Sequence, residues 1–454
     1  MRTTSVFLIA GLLAVGSTFG GELSKKDFKE AQKKAAMALS AGDDAALASA
    51  LTEVGADDSK KAVDFLLKVA LTNTAGQVYN SARQALAGMK SDEAVDHMVK
   101  LVEKRGDPRV KLLLIDAFSD RDDDKTGAAL GEALSAREPE VLRAAVHAIG
   151  KRQPKDAVDG LIDLFEKLTS GRGADGLLMN SVEETLYQLT GQNFKTAEDW
   201  RKYWSIKKRD FRPRTGGAPR EPSTTSERKK VPTFFGSEIR SNRIVFVIDT
   251  SGSMTAEDPA PPTPPKTGGP PPRRGPRTGG GTEGGDADGK GEEEESQGPK
   301  QAPSRIRVER AKFQLKEVIK ELPQGAMFTI IGFDTNVKVF SKVLLAATPA
   351  NKDKATAFVM GLNPSGTTMT LSAAKAAFDV EGADTMILLS DGAPTEVDEN
   401  DKHQLTGEEV ADRITELNRF KRWRIDTFGF AATGIGGFMR KLADENSGSY
   451  TDIP

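Results

Sequence analysis

The stretch Arg243–Met254, RIVFVIDTSGSM, places a carboxylate and two hydroxyls directly after an apolar run. The apolar part, Arg243–Thr250, is rich in β-branched residues and predicts a buried strand. The run is interrupted at Asp249, and Ser251 and Ser253 follow. In an open parallel sheet, ligands bind beyond the carboxyl ends of the strands. The stretch therefore predicts both a sheet and a ligand site at its edge.

From Asn242 to Pro454 the pattern alternates between apolar strands and amphipathic helices. Continuous apolar strands separated by helices predict an α/β, doubly wound (Rossmann-like), mostly parallel sheet that is covered on both faces. The predicted strands are Arg243–Thr250, Met327–Phe333, Val337–Ser341, Thr385–Ser390, Arg424–Phe430 and a short one near Tyr450. The predicted helices are Val308–Leu322, Thr356–Leu362, Leu371–Val380, Gly407–Arg419 and Phe438–Asn446.

Two further segments bring oxygen donors to the same edge of the predicted sheet. The strand in MILLSDG ends at Asp391, and the glycine-rich turn in PSGTTMT offers the hydroxyl of Thr367. With the three donors after the first strand, the candidate metal ligands are Asp249, Ser251, Ser253, Thr367 and Asp391. A donor set of oxygens alone selects a hard cation, Mg²⁺ first, with Mn²⁺ or Ca²⁺ as alternatives.

These three motifs, in this order, resemble a von Willebrand factor type A (VWA) domain with its metal-ion-dependent adhesion site. The resemblance covers residues 242–454. It implies that Ser251, Ser253 and Thr367 coordinate the ion directly, while Asp249 and Asp391 hold it mainly through water. It also implies capture of an Asp or Glu carboxylate from a protein partner. The sequence departs from the family by a long insert directly after the first motif.

Residues 21–206 have a helical pattern throughout. The segment Glu93–Lys104 is echoed by Asp156–Lys167, and the segments that begin at Asp107 and Glu138 also match. Both echoes give a period of about 31 residues, the scale of a two-helix repeat whose neighbours share one elongated core. The region resembles HEAT-type helical repeats. An aromatic group, Trp200, Tyr203 and Trp204, is expected to cover the last apolar face.

The remaining segments predict a targeting signal, a linker and an insert. Residues 1–20 predict a cleaved signal peptide, because an apolar run of about 11 residues suits a signal core and is too short to span a bilayer. Residues 207–241 are basic and rich in Pro, Gly, Ser and Thr, which predicts a flexible linker. Residues 257–303 are dominated by Pro, Gly and charge, which predicts a disordered insert.

Composition excludes several classes of site and partner. The chain has 454 residues, a net charge of −2, no cysteine and three separated histidines. Disulfides, thiolate metal sites and cysteine nucleophiles are excluded, and a histidine cage is not expected. Neither nucleic acid nor an integral membrane segment after signal cleavage is expected. An exported location is predicted, with periplasm, envelope and extracellular space left open.

The leading hypothesis is a non-enzymatic binding or adhesion protein in which Mg²⁺ captures an acidic residue of a partner. One alternative is a scaffold whose repeats bind the partner while the metal is structural. The other is a Mg²⁺-dependent phosphatase-like enzyme, which is disfavoured because Ser251 stands where a general-acid Asp is needed. The acidic run Glu292–Glu295 also raises the hypothesis that the insert competes for the metal, against the simpler interpretation of a solvated spacer.

Overall fold

The computed structural model describes residues 23–73, 75–170, 175–212, 231–259, 302–398, 402–430 and 434–454. The predicted signal peptide and the run Glu292–Glu295 lie outside these ranges. The described chain forms two compact units, one helical and one α/β. In its described part, no helix combines the length and apolar character that a membrane crossing needs.

The first unit is an array of α-helices, and most of them begin at a side chain that caps the first turn. Ser59, Ser91 and Asp123 each accept a hydrogen bond from a backbone N–H of the helix that follows, which satisfies one otherwise unpaired donor. The helices are α1 Lys25–Ala41, α2 Asp44–Gly55, α3 Lys60–Thr72, α4 Gly76–Gly88, α5 Asp92–Glu103, α6 Pro108–Ser119, α7 Asp124–Ala133, α8 Pro139–Arg152, α9 Val158–Ser170, α10 Gly176–Thr190 and α11 Ala197–Lys207.

The repeat predicted from sequence is confirmed by packing. Odd-numbered helices from α3 to α11 contact one another in succession, and even-numbered helices from α2 to α10 do the same. The matched positions of the echo, Met98 in α5 and Leu161 in α9, are both fully buried. Trp200 and Trp204 are buried in the last helix, and Phe194 packs edge-on against Trp200 with ring centroids 5.0 Å apart. The N-terminal unit is therefore an α-helical repeat array.

The second unit is built on a seven-stranded sheet. The strands of this unit are β1 Thr233–Phe234, β2 Ser237–Glu238, β3 Arg243–Asp249, β4 Met327–Phe333, β5 Val337–Val339, β6 Leu345–Ala346, β7 Thr385–Ser390, β8 Arg424–Phe430 and β9 Tyr450–Ile453. Six strands of the sheet run in the order β5-β4-β3-β7-β8-β9, and β6 also pairs with β4. The pairs along β4-β3-β7-β8-β9 are parallel, while β5 and β6 run antiparallel to β4.

Helices cover both faces of this sheet, as the continuous apolar strands predict. The helices are α12 Arg307–Glu321, α13 Pro349–Met360, α14 Thr370–Phe378, α15 Gly407–Asn418 and α16 Gly436–Glu445. In β3, Phe246 points into a core shared with Leu315 of α12, while Val247 points into the opposite core shared with Ile414 of α15. The α/β doubly wound, mostly parallel fold is therefore confirmed.

The structure differs from the predicted linker and the predicted insert at one place each. Within the predicted linker, β1 and β2 form an antiparallel hairpin, and Phe234 is fully buried against Phe428 at a centroid distance of 4.9 Å. Within the predicted insert, Glu257 forms an antiparallel bridge with Ile306, just beyond the insert, and Asp258 is buried. Both exceptions arise because a few residues inside a polar stretch pair with the folded unit.

Candidate metal centre

The candidate site lies where the order of the strands reverses. The chain passes from β3 to β4 on one side and later enters β7 on the other side of β3. Asp249 is the last residue of β3, and Asp391 directly follows β7. Because β3 and β7 are parallel neighbours, their carboxyl ends meet at one edge of the sheet. This switch point is where an open α/β sheet forms a crevice for a ligand.

Asp249 is fully buried and is held by two donors. The backbone N–H of Ser251 donates to its Oδ1 at 2.7 Å, and the hydroxyl of Ser390 donates to its Oδ2. Burial raises the pKa of Asp249 to about 6, because an apolar environment penalises the charged form, and the two hydrogen bonds offset part of this effect. A nearby cation would favour the charged form of a carboxylate that is buried this deeply.

A chain of hydrogen bonds joins Asp249 to Asp391 through the two serines. The hydroxyls of Ser251 and Ser253 are 3.0 Å apart, and Ser253 Oγ donates to Asp391 Oδ1 at 2.6 Å. Ser253 belongs to a 3₁₀ turn, Gly252–Thr255, that begins three residues after the end of β3. Four of the five predicted ligands are thus in one hydrogen-bonded group.

Thr367 lies on a loop that docks against the same turn. The N–H of Gly252 donates to the carbonyl of Gly366 at 3.1 Å, so the loop is tied to the first motif by its backbone. The Thr367 side chain itself is exposed, and its hydroxyl is 3.1 Å from that of Thr335. The structure therefore brings the loop of Thr367 to the site, and the Thr367 hydroxyl lies within hydrogen-bonding distance of the Thr335 hydroxyl.

Three residues near the site were not singled out from the sequence. Ser390, the last residue of β7, donates its hydroxyl to Asp249. Thr335 follows β4, the other parallel neighbour of β3, so the strand-end argument applied to Asp391 would also have found it. Arg307, the first residue of α12, donates from Nη1 to Asp391 Oδ2 at 2.8 Å. No sequence pattern indicated a role for Arg307, because its contact with Asp391 depends on where the chain re-enters the folded unit after the insert.

The donors present fit a hard divalent cation. The group offers two carboxylates and three hydroxyls from Asp249, Ser251, Ser253, Thr367 and Asp391, with no nitrogen or sulfur donor among them. Within the described ranges, no cluster of three or more His, Cys, Asp or Glu has the arrangement of a metal site. If the three neutral hydroxyls were the direct ligands and both carboxylates acted through water, the first shell would leave most of the divalent charge unneutralised.

Substituting Gly366 tests whether the loop of Thr367 matters for metal binding. Gly366 has φ +65°, and an added Cβ would collide with the hydroxyl of Thr335. We expect Gly366→Ala to lower both the stability and the Mg²⁺ affinity of the chain. Gly382→Ala is the matched control, because Gly382 has φ +77° and open space around it.

Both alanine variants should lose about 1–2 kcal/mol of unfolding free energy from the left-handed backbone. Only Gly366→Ala should also weaken Mg²⁺ binding, as measured by calorimetric titration. Equal Mg²⁺ affinities for the two variants would contradict a role for this loop.

Family comparisons support the two-unit architecture. A sequence model described as the von Willebrand factor type A domain matches residues 301–452, and one described as HEAT repeats matches residues 95–172. The first match includes Thr367 and Asp391 and begins after Asp249, Ser251 and Ser253. A comparison with curated proteins gives no match.

Solved structures with similarity to the chain are distant. A von Willebrand factor type A protein from Catenulispora acidiphila is 21% identical with a TM-score of 0.31, over 46% of this chain and 38% of that one. Proximal thread matrix protein 1 from the mussel byssus is 14% identical with a TM-score of 0.28, over 46% of this chain and 40% of that one.

The PilB minor pilin from Streptococcus sanguinis is 16% identical with a TM-score of 0.28, over 48% of this chain and 58% of that one. The chain thus spans less than two thirds of each of these three structures.

Proposed function

We propose that this chain is an exported, non-enzymatic binding protein whose α/β unit uses Mg²⁺ to capture an acidic residue of a protein partner. The single observation that carries the proposal is the hydrogen-bonded chain from Asp249 through Ser251 and Ser253 to Asp391 at the switch point of the sheet. The match of residues 301–452 to the von Willebrand factor type A domain, a protein-interaction module, supports it.

In this proposal the five residues divide into two groups. Ser251, Ser253 and Thr367 would hold the ion directly through neutral hydroxyls, while Asp249 and Asp391 would hold it through water. Bound Mg²⁺ would supply an electrophilic position that accepts one oxygen of a carboxylate. Thr367 must then turn its hydroxyl away from Thr335, which its exposed position allows.

The buried aspartates fix the site before a ligand arrives. Asp249 holds the backbone of Ser251, and Asp391 holds the hydroxyl of Ser253. Because both carboxylates are almost fully buried while Ser253 and Thr367 are exposed, a partner's acidic group would meet these two hydroxyls and not the two like charges. The helical array would offer a second binding surface, as stacked repeats commonly do.

Binding is favoured over catalysis by what surrounds the candidate ligands. Phosphoryl chemistry on Asp249 would need a general acid two residues later, and the serine found there shares a hydrogen bond with Ser253. His403, the histidine of this unit, is half exposed and forms a hydrogen bond of 3.0 Å with Glu409. Neither arrangement provides a poised acid or base at Asp249.

A metal-dependent pull-down tests this function. We expect the full chain to retain a protein from the native extracytoplasmic fraction in Mg²⁺ and to release it in a chelator. A short Glu-containing peptide should displace the partner, and its Gln counterpart should not. Ser253→Ala should abolish retention, whereas Thr255→Ala, an exposed hydroxyl of the same turn that donates to Gly252, should not.

Retention that persists in chelator would instead favour the scaffold alternative, in which the repeats bind the partner. Turnover of a phosphate ester that needs Mg²⁺ and is lost in Asp249→Asn would contradict the non-enzymatic proposal. The exported location depends on residues 1–20 and stays a prediction.

A further inference from the structure

A guanidinium group occupies the side of Asp391 that faces away from Ser253. Arg307 Nη1 donates to Asp391 Oδ2 at 2.8 Å, while Ser253 takes Oδ1. The Asp391 side chain is 0% exposed and that of Arg307 is 12% exposed, so solvent screens this ion pair weakly. One of the two acidic groups of the candidate metal centre is therefore already neutralised by the protein.

Arg307 is held in this position by a second acidic residue. Its Nε donates to Asp258 Oδ1 at 2.8 Å, and Arg310 donates to the other oxygen of Asp258. The guanidinium groups of Arg307 and Arg310 also lie 5.7 and 5.6 Å from the ring centroid of Phe430. Asp258 is 3% exposed, which makes this an enclosed network of alternating charges.

The backbone fixes the two sides of this network relative to each other. The N–H of Asp258 donates to the carbonyl of Arg305, and the N–H of Arg307 donates to the carbonyl of Ala256, both at 3.0 Å. These bonds join residues 256–258, at the start of the predicted insert, to residues 305–307, just beyond its end. The position of Arg307 beside Asp391 is therefore set by main-chain pairing and not by a freely rotating surface side chain.

A cation at the candidate centre and Arg307 must share the charge of Asp391. Like charges a few ångströms apart in a poorly screened environment repel strongly. Removing the positive charge of Arg307 would also leave the buried carboxylate of Asp391 with only the metal to compensate its charge. Both effects act in the same direction, toward tighter metal binding when Arg307 is neutralised.

We propose that Arg307 is an internal counter-charge that competes with the metal for Asp391 and thereby sets the metal affinity of the site. This inference rests on the proposed function, since it requires that the five residues bind a cation. In the metal-free protein, Arg307 stabilises the acidic edge of the sheet. In the metal-bound protein, its charge keeps the affinity below the value that the five ligands alone would give.

The test is a calorimetric titration of the full chain with Mg²⁺, together with thermal unfolding in chelator followed by circular dichroism. We expect Arg307→Gln to bind Mg²⁺ about tenfold more tightly than wild type, because one nearby positive charge is removed. The same variant should unfold at a lower temperature in chelator. Arg307→Lys keeps the charge and should bind Mg²⁺ with an affinity close to that of wild type.

Arg310→Gln is the matched control, because Arg310 pairs with Asp258 without an ion pair to Asp391. It should change Mg²⁺ affinity much less than Arg307→Gln. If Arg307→Gln does not fold, Asp258→Asn tests the same idea with the opposite sign. It removes a negative charge that holds Arg307, so it should weaken Mg²⁺ binding by about threefold.

The outcomes separate this inference from the function it rests on. Unchanged or weaker Mg²⁺ binding by Arg307→Gln would overturn the counter-charge role, and so would equal tightening by Arg310→Gln. Absence of Mg²⁺ binding by the wild type would overturn the proposed function itself.

Discussion

The Asp249→Asn variant is expected to bind Mg²⁺ about 100-fold more weakly than wild type while keeping its fold. Asparagine retains an oxygen that accepts the N–H of Ser251, so the turn after β3 should persist. It removes the charge, however, and a neutral side chain at a fully buried position has a smaller desolvation cost. The loss should therefore appear in metal affinity and not in the stability of the metal-free protein.

Calorimetry measures the Mg²⁺ affinity, and chemical denaturation measures the free energy of unfolding with and without the metal. At a Mg²⁺ concentration about 100 times its Kd, wild type should gain about 2.7 kcal/mol of unfolding free energy, and Asp249→Asn almost none. Asp379→Asn is the control, an exposed aspartate in the same unit. Wild-type affinity in Asp249→Asn, or an equal loss in Asp379→Asn, would contradict the assignment of this site.

Truncation of Phe246 is expected to have the largest effect on stability. Its ring is fully buried at the middle of β3 and packs near Phe234 with a centroid distance of 6.3 Å. Phe246→Ala should cost about 3–5 kcal/mol, because it removes buried apolar surface and leaves a cavity between the sheet and its helices. The loss should be seen in urea unfolding, in the transition whose midpoint rises with Mg²⁺.

Val343→Ala provides the comparison for this truncation. Val343 is 59% exposed in the same unit, and its substitution should change the unfolding free energy by less than about 0.5 kcal/mol. A similar small change in Phe246→Ala would mean that β3 does not hold the core on which the site is built.

Elements that are buried on both sides were predictable from the sequence. The strands Met327–Phe333, Thr385–Ser390 and Arg424–Phe430 have the bounds that the apolar runs predict. A parallel strand covered on both faces is mostly apolar, so the apolar run indicates its extent, although β8 itself carries Arg424 and Asp426. The helical repeat was predictable for a related reason, since each helix repeats the same buried stripe.

Short elements and long-range contacts were not predictable in the same way. The hairpin of β1 and β2 has two residues in each strand, too few for a periodic pattern, and only the packing of Phe234 reveals it. The first helix of this unit begins at Arg307, one residue before the predicted limit. Its contact with Asp391 spans 84 residues, and no local pattern encodes it.

The position of the candidate site was predictable from the sequence, and the orientation of its side chains was less so. The strand-end argument correctly brings Asp391 close to Ser253. It does not specify the rotamer of Thr367, whose hydroxyl contacts that of Thr335. Nor does it predict the positive charge of Arg307 beside Asp391. Side-chain orientation depends on neighbours that only the folded chain defines.

A crystal structure of the full chain grown with Mn²⁺, with anomalous diffraction recorded at the manganese edge, would locate the ion itself. We expect an anomalous peak enclosed by the hydroxyls of Ser251, Ser253 and Thr367, with Asp249 and Asp391 behind it and the Thr367 hydroxyl turned away from Thr335. Manganese bound only elsewhere, or a side chain of Thr367 that still faces Thr335 beside an occupied site, would contradict this expectation.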